Sequence, residues 1–317
     1  MKVFITRKLP GNAVDLLVEK GIDVVLYGKD RQISRQEFLK NAKDADGILS
    51  LLSDKLDKDI ISRLENCKVI ANYAVGYNNI DLKAAKEKNI VVTNTPDLLT
   101  DATAEIAVSL MLACSRHIVQ GDRFMREGKF KGWAPELFLG TELSGKTFGI
   151  AGAGRIGTAA ALRAKAFGMK IIYFSRSKNE ALEKSTGAKK VSLEKLMKTS
   201  DVISLHMPLT DKTRGLIDKD HLNLMKETAI LVNTARGEIL DEKELVKMLK
   251  ARRIFAAGFD VYENEPQLNK ELLKLKNVVL LPHLGSATFE ARTKMAELCA
   301  KNLINVLKGR KPLTPVA

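Results

Sequence analysis

Residues 148–157 read FGIAGAGRIG, and after a helical stretch residues 171–177 read IIYFSRS. This order predicts a strand, a glycine turn, a helix and a second strand, with glycines in the G-x-G-x-x-G spacing. Gly152 permits the tight turn, Gly154 lets a pyrophosphate approach the backbone, and Gly157 lets the helix pack on its strand. Because the first N–H groups of such a helix are free to bind phosphate, we expect a dinucleotide site here. Its predicted residues are Gly152, Ala153, Gly154, Arg155, Ile156 and Gly157.

The second strand leads into Ser175, Arg176 and Ser177, which bear on the choice of dinucleotide. NAD sites usually carry Asp or Glu roughly 20 residues beyond the glycines, where the carboxylate accepts from the ribose 2′-OH. No carboxylate stands at these three positions to repel a 2′-phosphate. Arg176 can pair with that phosphate through two N–H donors, and the serine hydroxyls can add hydrogen bonds. The loop favours NADP(H), with NAD(H) use and a simple solvated turn as the alternatives.

The composition is that of a globular protein with more than one domain. The chain has 317 residues, of which 45% are hydrophobic and 28% charged. No apolar run reaches the roughly 18 residues of a membrane span, and no signal-peptide pattern precedes Val3. Cys67, Cys114 and Cys299 are widely spaced and form no C-x-x-C pair, which suits a reducing compartment. We expect a cytoplasmic protein with no membrane partner.

The net charge of +14 raises the question of nucleic-acid binding. The lysines are spread along the whole chain, however, and aromatic residues make up only 5% of it. Basic nucleic-acid sites cluster their cations and often interleave them with aromatic side chains. We therefore predict a solvated basic surface, which attracts an anionic cofactor and substrate, and no nucleic-acid partner.

Strands and helices alternate over the first 93 residues, a pattern typical of a parallel sheet with helices on both faces. Ser34 and Glu37 form a capping-box pattern that marks one helix start. A single long apolar helix is predicted from Asp101 to about Met125, and another from about Phe289 to Leu307. We interpret these two helices as crossings between domains.

The crossings predict a discontinuous substrate domain, residues 1–99 and 287–317, and a dinucleotide-binding domain, residues 100–286. The predicted fold class is α/β, with two doubly wound parallel-sheet domains. Folds of this kind bind ligands beyond the carboxyl ends of the strands, so an inter-domain cleft is the expected substrate site.

Three apolar strands of the second domain end in polar segments, and these carry an Arg, a Glu and a His. Carboxyl ends of parallel strands meet at one edge of a sheet, so Arg236, Glu265 and His283 are expected to lie close together. This set suits anion binding combined with proton transfer. The segments are VNTARG at 232–237, FDVYENEP at 259–266 and LPHLGS at 281–286.

The three side chains can divide the reduction of a ketone between them. A nicotinamide carries the hydride, and His283 suits the delivery of a proton at neutral pH. Glu265 beside it is expected to stabilise the imidazolium and so raise the pKa of the ring. Arg236 can bind the carboxylate of an α-keto acid and polarise its carbonyl. Asp260 is expected to orient the nicotinamide carboxamide.

Each candidate also has a structural explanation. Arg236 can be a surface residue after a buried strand, Glu265 one of several loop acids, and His283 a hydrogen-bonded turn histidine. We interpret the remaining histidines as structural, namely His117, His206 and His221. No metal site is predicted, because the sequence lacks an H-x-x-H motif, a cysteine pair and a carboxylate cluster.

The chain resembles the D-isomer-specific 2-hydroxyacid dehydrogenase family over essentially its whole length. The branch it is most similar to is the glyoxylate/hydroxypyruvate reductases, which share the Ser-Arg-Ser type of cofactor loop and a Trp-x-Pro segment. The motifs that carry the resemblance are NYAVGYNNID at 72–81, TNTP at 93–96, the glycine motif, WAP at 133–135, NTARG at 233–237, EP at 265–266 and PHLGS at 282–286.

This resemblance implies a Rossmann cofactor domain, a flavodoxin-like substrate domain, and an active-site trio of Arg236, Glu265 and His283. It implies a carboxylate-binding cradle at the backbone N–H groups of Val75 and Gly76. Trp133 is implied as a substrate-site residue contributed within a homodimer. Further implied contacts are Leu52 and Ser53 for substrate and Pro208, Thr234, Ala235, Asp260 and Gly285 for cofactor.

The function expected from the sequence is reduction of glyoxylate or hydroxypyruvate to the D-2-hydroxy acid by NADPH or NADH. One alternative is another NAD-dependent D-2-hydroxyacid dehydrogenase, such as a D-lactate enzyme. A second, from a different class, is a dinucleotide-sensing protein of the same fold that binds other proteins. The predicted partners are a small 2-keto or 2-hydroxy acid and a second copy of the chain.

Overall fold

The computed structural model describes residues 1–316 and divides into two compact units. The first unit comprises Met1–Leu99 together with the chain from Ser286 onward, and the second is Thr100–Gly285. Ala317, which falls within the predicted substrate domain, lies outside the described residues.

The described part of the first unit is built on a five-stranded parallel sheet in the order β2-β1-β3-β4-β5. This is the flavodoxin-like doubly wound order. Its strands are β1 (Lys2–Ile5), β2 (Asp23–Leu26), β3 (Gly47–Leu51), β4 (Val69–Tyr73) and β5 (Val91–Thr93). Its helices are α1 (Ala13–Val18), α2 (Arg35–Ala42), α3 (Lys58–Ser62), α4 (Leu82–Glu87) and, after the second unit, α12 (Phe289–Leu307).

The C-terminal helix α12 packs on the sheet of the first unit. The Tyr73 hydroxyl at the end of β4 donates to the Arg292 carbonyl at 2.7 Å. Gly47 starts β3 beneath the same helix, and a Cβ there would lie 2.9 Å from Cδ2 of Leu303. The small residue is what lets the helix approach the sheet this closely.

The second unit contains, among the described residues, a seven-stranded parallel sheet in the order β12-β11-β10-β9-β6-β7-β8. Read from β8, this is the strand order of the dinucleotide-binding fold with one further strand. Its strands are β6 (Thr147–Ala151), β7 (Lys170–Phe174), β8 (Lys189–Lys190), β9 (Val202–Leu205), β10 (Ile230–Asn233), β11 (Ala256–Phe259) and β12 (Val278–Leu280). Its helices are α5 (Thr100–Ser115), α6 (Ile118–Arg126), α7 (Arg155–Ala166), α8 (Glu180–Thr186), α9 (Leu193–Thr199), α10 (Lys219–Asn223) and α11 (Glu242–Lys250).

The two parallel sheets confirm the predicted α/β fold class, and the physical basis is the apolar character of the strands. β10 and β11 are buried along their whole length, as parallel strands covered on both faces must be. Phe148 on β6 and Tyr173 on β7 are nearly or fully buried. A buried side chain of this size stabilises the fold by about 1.5–3 kcal/mol.

Helix starts follow their local sequence signals. Ser34 and Glu37 form the predicted capping box, in which each side chain bonds the other residue's backbone N–H. Asp57 and Asp81 cap α3 and α4 by accepting from the N–H groups of Ile60 and Ala84. Such caps stabilise a helix by about 1 kcal/mol each.

The prediction of one helix from Asp101 to Met125 is wrong, because the chain breaks between α5 and α6. His117 adopts a left-handed conformation with φ of 54°. The Ser115 carbonyl accepts from the Thr141 N–H at 2.8 Å rather than from the next helical turn. The break turns α6 away from α5 by 65°. No single described helix is long and apolar enough to cross a membrane, and only this bent pair passes that test, by length and composition alone.

Candidate active site

The glycine turn joins β6 to α7 as predicted. Gly152 has φ of 105°, a region that L side chains rarely adopt, and a Cβ there would lie 2.7 Å from the His206 carbonyl carbon. A Cβ at Gly157 would lie 2.2 Å from the Gly152 carbonyl oxygen. The first glycine therefore makes room for the backbone that follows β9, and the third lets α7 pack against the turn.

The second glycine of the motif has a different role. Gly154 is exposed, and a Cβ built on it would meet no described atom within 4 Å. Packing of the protein itself therefore does not require glycine at this position. The open space above the start of α7 fits a bound pyrophosphate, which would approach the backbone there.

A buried hydroxyl on the neighbouring strand end also fits a ligand. Thr234 follows β10 and is 8% exposed, yet its Oγ1 has no hydrogen-bond partner among the described residues. Burying a hydroxyl without a partner costs about 1–3 kcal/mol. A bound dinucleotide would supply the missing partner, so the residues present fit the cofactor that the sequence predicts.

The loop after β7 presents positive charge. Arg176 and Ser177 are exposed, and Ser175 is half-buried. The Lys190 ammonium on β8 donates to the Arg176 carbonyl at 3.0 Å. Lys178 adds a third cation, which pairs with Glu183 at 3.3 Å. The three residues of the loop, 175–177, include no carboxylate.

The end of β9 lies against the glycine turn. The His206 N–H donates to the Ala151 carbonyl at 2.8 Å, and the His206 ring bonds Oγ of Ser204 at 2.8 Å. Desolvation lowers the pKa of His206 to about 4, so the ring is neutral at neutral pH. Pro208, an expected cofactor contact, is exposed, and its carbonyl accepts from the Thr213 hydroxyl at 2.6 Å.

An asparagine shapes the segment that carries Arg236. The fully buried Asn233 ends β10; its Oδ1 accepts from the Ala235 N–H at 3.0 Å, and its amide donates to the Arg236 carbonyl at 2.9 Å. Asn233 was not among the site residues predicted from the sequence. Its signal was present, because Asn directly after an apolar strand commonly bonds the backbone two residues on.

Close backbone approach brings the Arg236 segment against the next loop. A Cβ at Gly237 would lie 2.0 Å from the Tyr262 carbonyl carbon and 2.1 Å from the Glu263 nitrogen. The Arg236 guanidinium donates to the Ala235 carbonyl at 2.6 Å. Desolvation lowers the pKa of Arg236, while the nearby charge of Glu265 opposes that shift. Arg still remains cationic, since its ordinary pKa exceeds about 12.

Glu265 and His283 form a hydrogen-bonded pair. His283 Nδ1 lies 2.8 Å from Oε2 of Glu265, and the side chains are 25% and 29% exposed, respectively. The Tyr262 N–H donates to Oε1 of Glu265 at 3.0 Å. Burial opposes ionisation of Glu265, but the bonds from His283 and Tyr262 and the charge of Arg236 prevail and lower the pKa of this carboxyl. The carboxylate is thus ionised at neutral pH.

Asp260 holds the backbone beside His283. Its two carboxylate oxygens accept from the N–H groups of Leu284 at 2.6 Å and Gly285 at 2.7 Å. Burial raises the pKa of Asp260, and these two N–H bonds counter the shift. Gly285 also accepts from the Thr103 hydroxyl at 2.9 Å. The observed contacts of Asp260 fix the loop in which His283 adopts φ of 56°.

In the first unit, the implied substrate residues follow two neighbouring strands. Leu52 and Ser53 come directly after β3, and Val75 and Gly76 follow β4. The carbonyls of Val75 and Gly76 accept from the amides of Asn94 and Asn72 at 2.8 and 2.9 Å. Within the described part of this unit, neither the Val75 N–H nor the Gly76 N–H donates to a backbone carbonyl.

Trp133 lies in the irregular segment after α6 and is 85% exposed. Exposed apolar side chains also occur on α6 and in the segment that follows it. These include Ile118, Met125, Phe130 and Leu139. Among the described residues, no group of His, Cys, Asp and Glu is arranged to hold a metal ion.

Residues 108–285 match the family model described as "D-isomer specific 2-hydroxyacid dehydrogenase, NAD binding domain". The chain is also 49% identical to the glyoxylate reductase of Pyrococcus furiosus, over 99% of this chain and 95% of that one. The chain belongs to the D-isomer-specific 2-hydroxyacid dehydrogenase family. As a member of that family it is an NAD(P)-dependent dehydrogenase.

Solved structures are similar to the chain over its whole length. The TT0316 protein from Thermus thermophilus gives a TM-score of 0.94 at 43% identity, covering 100% of both chains. An NADPH-dependent glyoxylate/hydroxypyruvate reductase from Sinorhizobium meliloti, solved with NADP and malonate, gives a TM-score of 0.87 at 32% identity. That match covers 100% of this chain and 96% of the other.

Proposed function

We propose that this dehydrogenase reduces glyoxylate or hydroxypyruvate to the D-2-hydroxy acid with NADPH as the hydride donor. The observation that carries the proposal is the His283–Glu265 pair at 2.8 Å, on the same sheet edge as Arg236. A proton donor held by a carboxylate, beside a cation, is what reduction of a 2-keto acid requires. Reductases of these substrates among the relatives support the choice.

The bound nicotinamide supplies the hydride, and the protein supplies the proton. Nδ1 of His283 is hydrogen-bonded to Glu265, so Nε2 is the ring nitrogen that remains for the substrate in this proposal. In its protonated state the ring donates from Nε2 to the carbonyl oxygen as negative charge develops there. The carboxylate of Glu265 stabilises the imidazolium before transfer and fixes the orientation of the ring.

Arg236 binds and polarises the substrate. Its planar guanidinium can pair with a carboxylate through two N–H donors, a geometry that an ammonium group lacks. Burial strengthens this attraction because few waters compete for the anion. We also propose that the N–H groups of Val75 and Gly76 bind the substrate carboxylate, and that Leu52 and Ser53 are further substrate contacts.

The preference for NADPH over NADH rests on charge. Arg176, Lys178 and Lys190 lie at or beside the loop after β7, where the ribose 2′ position is expected. A 2′-phosphate carries negative charge that these cations attract, whereas a 2′-OH gains little from them. The remaining proposed cofactor residues are Gly152, Ala153, Gly154, Arg155, Ile156, Gly157, Ser175, Ser177, Pro208, Thr234, Ala235, Asp260 and Gly285.

We propose the following domain organisation and assembly for the enzyme. Residues 100–286 act as the cofactor domain, and residues 1–99 and 287–317 as the substrate domain. The enzyme works in the cytoplasm as a homodimer. The exposed apolar side chains around α6 support the dimer, and within it Trp133 contributes to a substrate site. Sedimentation of the purified protein tests the dimer directly, and a monomer at micromolar concentration would contradict it.

The deciding experiment is loss of reduced-nicotinamide absorbance with glyoxylate or hydroxypyruvate, using NADPH and NADH in parallel. We expect rapid oxidation with NADPH preferred. Activity with NADH alone would refute the cofactor preference while leaving the reaction intact. Activity only with pyruvate would indicate a D-lactate-type enzyme. Tight dinucleotide binding without turnover of any small 2-keto acid would indicate the dinucleotide-sensing alternative.

A further inference from the structure

Asn179 connects the two parts of the cofactor site that are separated in sequence. Its amide nitrogen Nδ2 donates to the Ala153 carbonyl at 2.9 Å and to Oγ1 of Thr158 at 3.1 Å. Ala153 is the middle residue of the glycine turn, and Thr158 directly follows the last glycine of the motif. Asn179 itself comes two residues after the Ser175-Arg176-Ser177 loop.

The other polar groups of Asn179 are also engaged. Its Oδ1 caps α8 by accepting from the Leu182 N–H at 3.0 Å. Its N–H donates to the Tyr173 hydroxyl at 2.9 Å, and that hydroxyl donates to Glu183 at 2.8 Å. Tyr173 is fully buried on β7, so its position in the unit is fixed by packing. The side chain of Asn179 is therefore held on both sides and does not sample other rotamers freely.

The short loop is consequently pinned to the glycine turn at both ends. At its start, the Phe174 carbonyl accepts from the Gly152 N–H at 2.8 Å. At its end, Asn179 bonds Ala153 and Thr158. A dinucleotide has a fixed covalent distance between its pyrophosphate and its ribose 2′ position. A protein that already holds the two binding elements at that distance avoids the entropy cost of ordering them on binding.

We infer that Asn179 is a positioning residue that sets the spacing between the glycine turn and the loop carrying Arg176, and thereby the affinity for NADPH. This inference rests on the proposed function, since it takes the glycine turn and the loop as the two ends of one cofactor site. Asn179 itself touches no reacting atom. Its effect is transmitted through the backbone of Ala153 and the loop 175–177.

Asn179→Ser separates positioning from helix capping. Serine is as good an N-cap as asparagine, so α8 is retained, but its hydroxyl is too short to reach the Ala153 carbonyl. We expect the Kd for NADPH, measured by nucleotide fluorescence, to rise about tenfold, since two hydrogen bonds are lost. In kinetics the change is expected in KM for NADPH rather than in kcat. The melting temperature is expected to stay within a few degrees.

Two further variants complete the design. Thr158→Val removes one of the two acceptors without changing the cap or the side-chain shape, and we expect a rise in Kd of about threefold. Ser192→Ala is the matched control, because Ser192 caps α9 by accepting from the Lys195 N–H and makes no bond to the glycine turn. It is expected to lower the melting temperature while leaving the Kd for NADPH unchanged.

A Kd for NADPH within twofold of wild type in both Asn179→Ser and Thr158→Val would overturn the inference. The inference would also be overturned if Ser192→Ala weakened NADPH binding as much as Asn179→Ser does, because the effect would then reflect a general loss of stability. The proposed function is tested separately by the wild-type protein. Failure of the wild type to bind NADPH would refute the cofactor assignment before any variant is compared.

Discussion

His283 Nδ1 lies 2.8 Å from Oε2 of Glu265, although the two residues are 18 positions apart in the sequence. The Tyr262 N–H fixes the other carboxylate oxygen at 3.0 Å, so the acid cannot rotate away from the ring. Asp260 holds the two residues after His283 by their N–H groups. The orientation of the histidine is therefore set by two carboxylates with different tasks, one bonding the ring and one bonding the backbone.

Replacing His283 by Ala should remove the proposed proton donor and leave the proposed cofactor site intact. We expect kcat for glyoxylate reduction to fall by about 10²–10⁴-fold, with the Kd for NADPH within about twofold of wild type. His221→Ala is the matched control, since His221 Nδ1 pairs with Asp218 at 2.7 Å on α10 in the same manner. Full turnover in His283→Ala would show that another group delivers the proton.

Glu265→Gln should slow reduction at pH 7. The carboxylate lies at Nδ1 of His283, and loss of its negative charge removes the partner that stabilises the proposed imidazolium. We therefore expect kcat for glyoxylate reduction to fall by about tenfold or more in the variant, with the Kd for NADPH unchanged. Asp218→Asn, which removes the equivalent acid at His221, should leave kcat unchanged. An unchanged kcat in Glu265→Gln would mean that the carboxylate does not act on the proton donor.

The same carboxyl group predicts a difference in stability with pH. The pKa of Glu265 is lowered in the folded protein, so its ionised form stabilises the fold above the ordinary carboxyl pKa of about 4.3. That contribution is lost as the pH falls through the lower folded-state value. Chemical denaturation of wild type and Glu265→Gln should show a stability gap at pH 7 that narrows below about pH 4. A gap that is constant with pH would refute the linkage.

Arg236→Lys preserves charge and tests geometry. An ammonium cannot form two parallel hydrogen bonds to a carboxylate, so we expect kcat/KM for glyoxylate to fall by about 10²-fold, or ~2.7 kcal/mol. The KM for NADPH should change little. Arg253→Lys, at an exposed ion pair with Glu227, is the control and should leave kcat/KM for glyoxylate unchanged. Retained kcat/KM in Arg236→Lys would reduce its role to simple charge attraction.

Arg176→Ala tests the cofactor preference. Loss of its guanidinium should weaken NADPH by about tenfold or more and leave the Kd for NADH almost unchanged. Lys190→Ala should weaken NADPH less, because Lys190 bonds the Arg176 carbonyl and offers only its remaining donors to a phosphate. Titration of both nucleotides against each variant gives the answer. Equal losses for NADPH and NADH would rule out a 2′-phosphate contact.

Gly154→Ala and Gly157→Ala should fail for different reasons, although both belong to one motif. A Cβ at Gly154 would meet no described atom within 4 Å. The melting temperature of Gly154→Ala should therefore be unchanged, while the variant binds NADPH more weakly. A Cβ at Gly157 would lie 2.2 Å from the Gly152 carbonyl oxygen, so that variant should lose about 1–3 kcal/mol of stability. Tight NADPH binding by Gly154→Ala would argue against pyrophosphate over this residue.

Local signals in the sequence were sufficient to predict the two parallel sheets, the capping box and the glycine turn, but not the break between α5 and α6. The alternation of apolar strands with helices predicted two parallel sheets, because a parallel strand buried on both faces must be apolar along its length. The capping box at Ser34 and Glu37 and the glycine turn at Gly152 were predicted because each depends on residues only a few positions apart. The helix break at His117 was not predicted, because the N–H that donates to the Ser115 carbonyl belongs to Thr141, which is distant in sequence.

The amino-acid sequence by itself determined the fold class, the glycine turn, the charge of the cofactor loop and the residue types at the strand ends. Only the tertiary structure decided which atoms meet. It paired His283 with Glu265, assigned both oxygens of Asp260 to backbone N–H groups, and joined Asn179 to Ala153. The reason is physical: propensity and periodicity act over a few residues, whereas a hydrogen bond between loops depends on how whole strands align in the sheet.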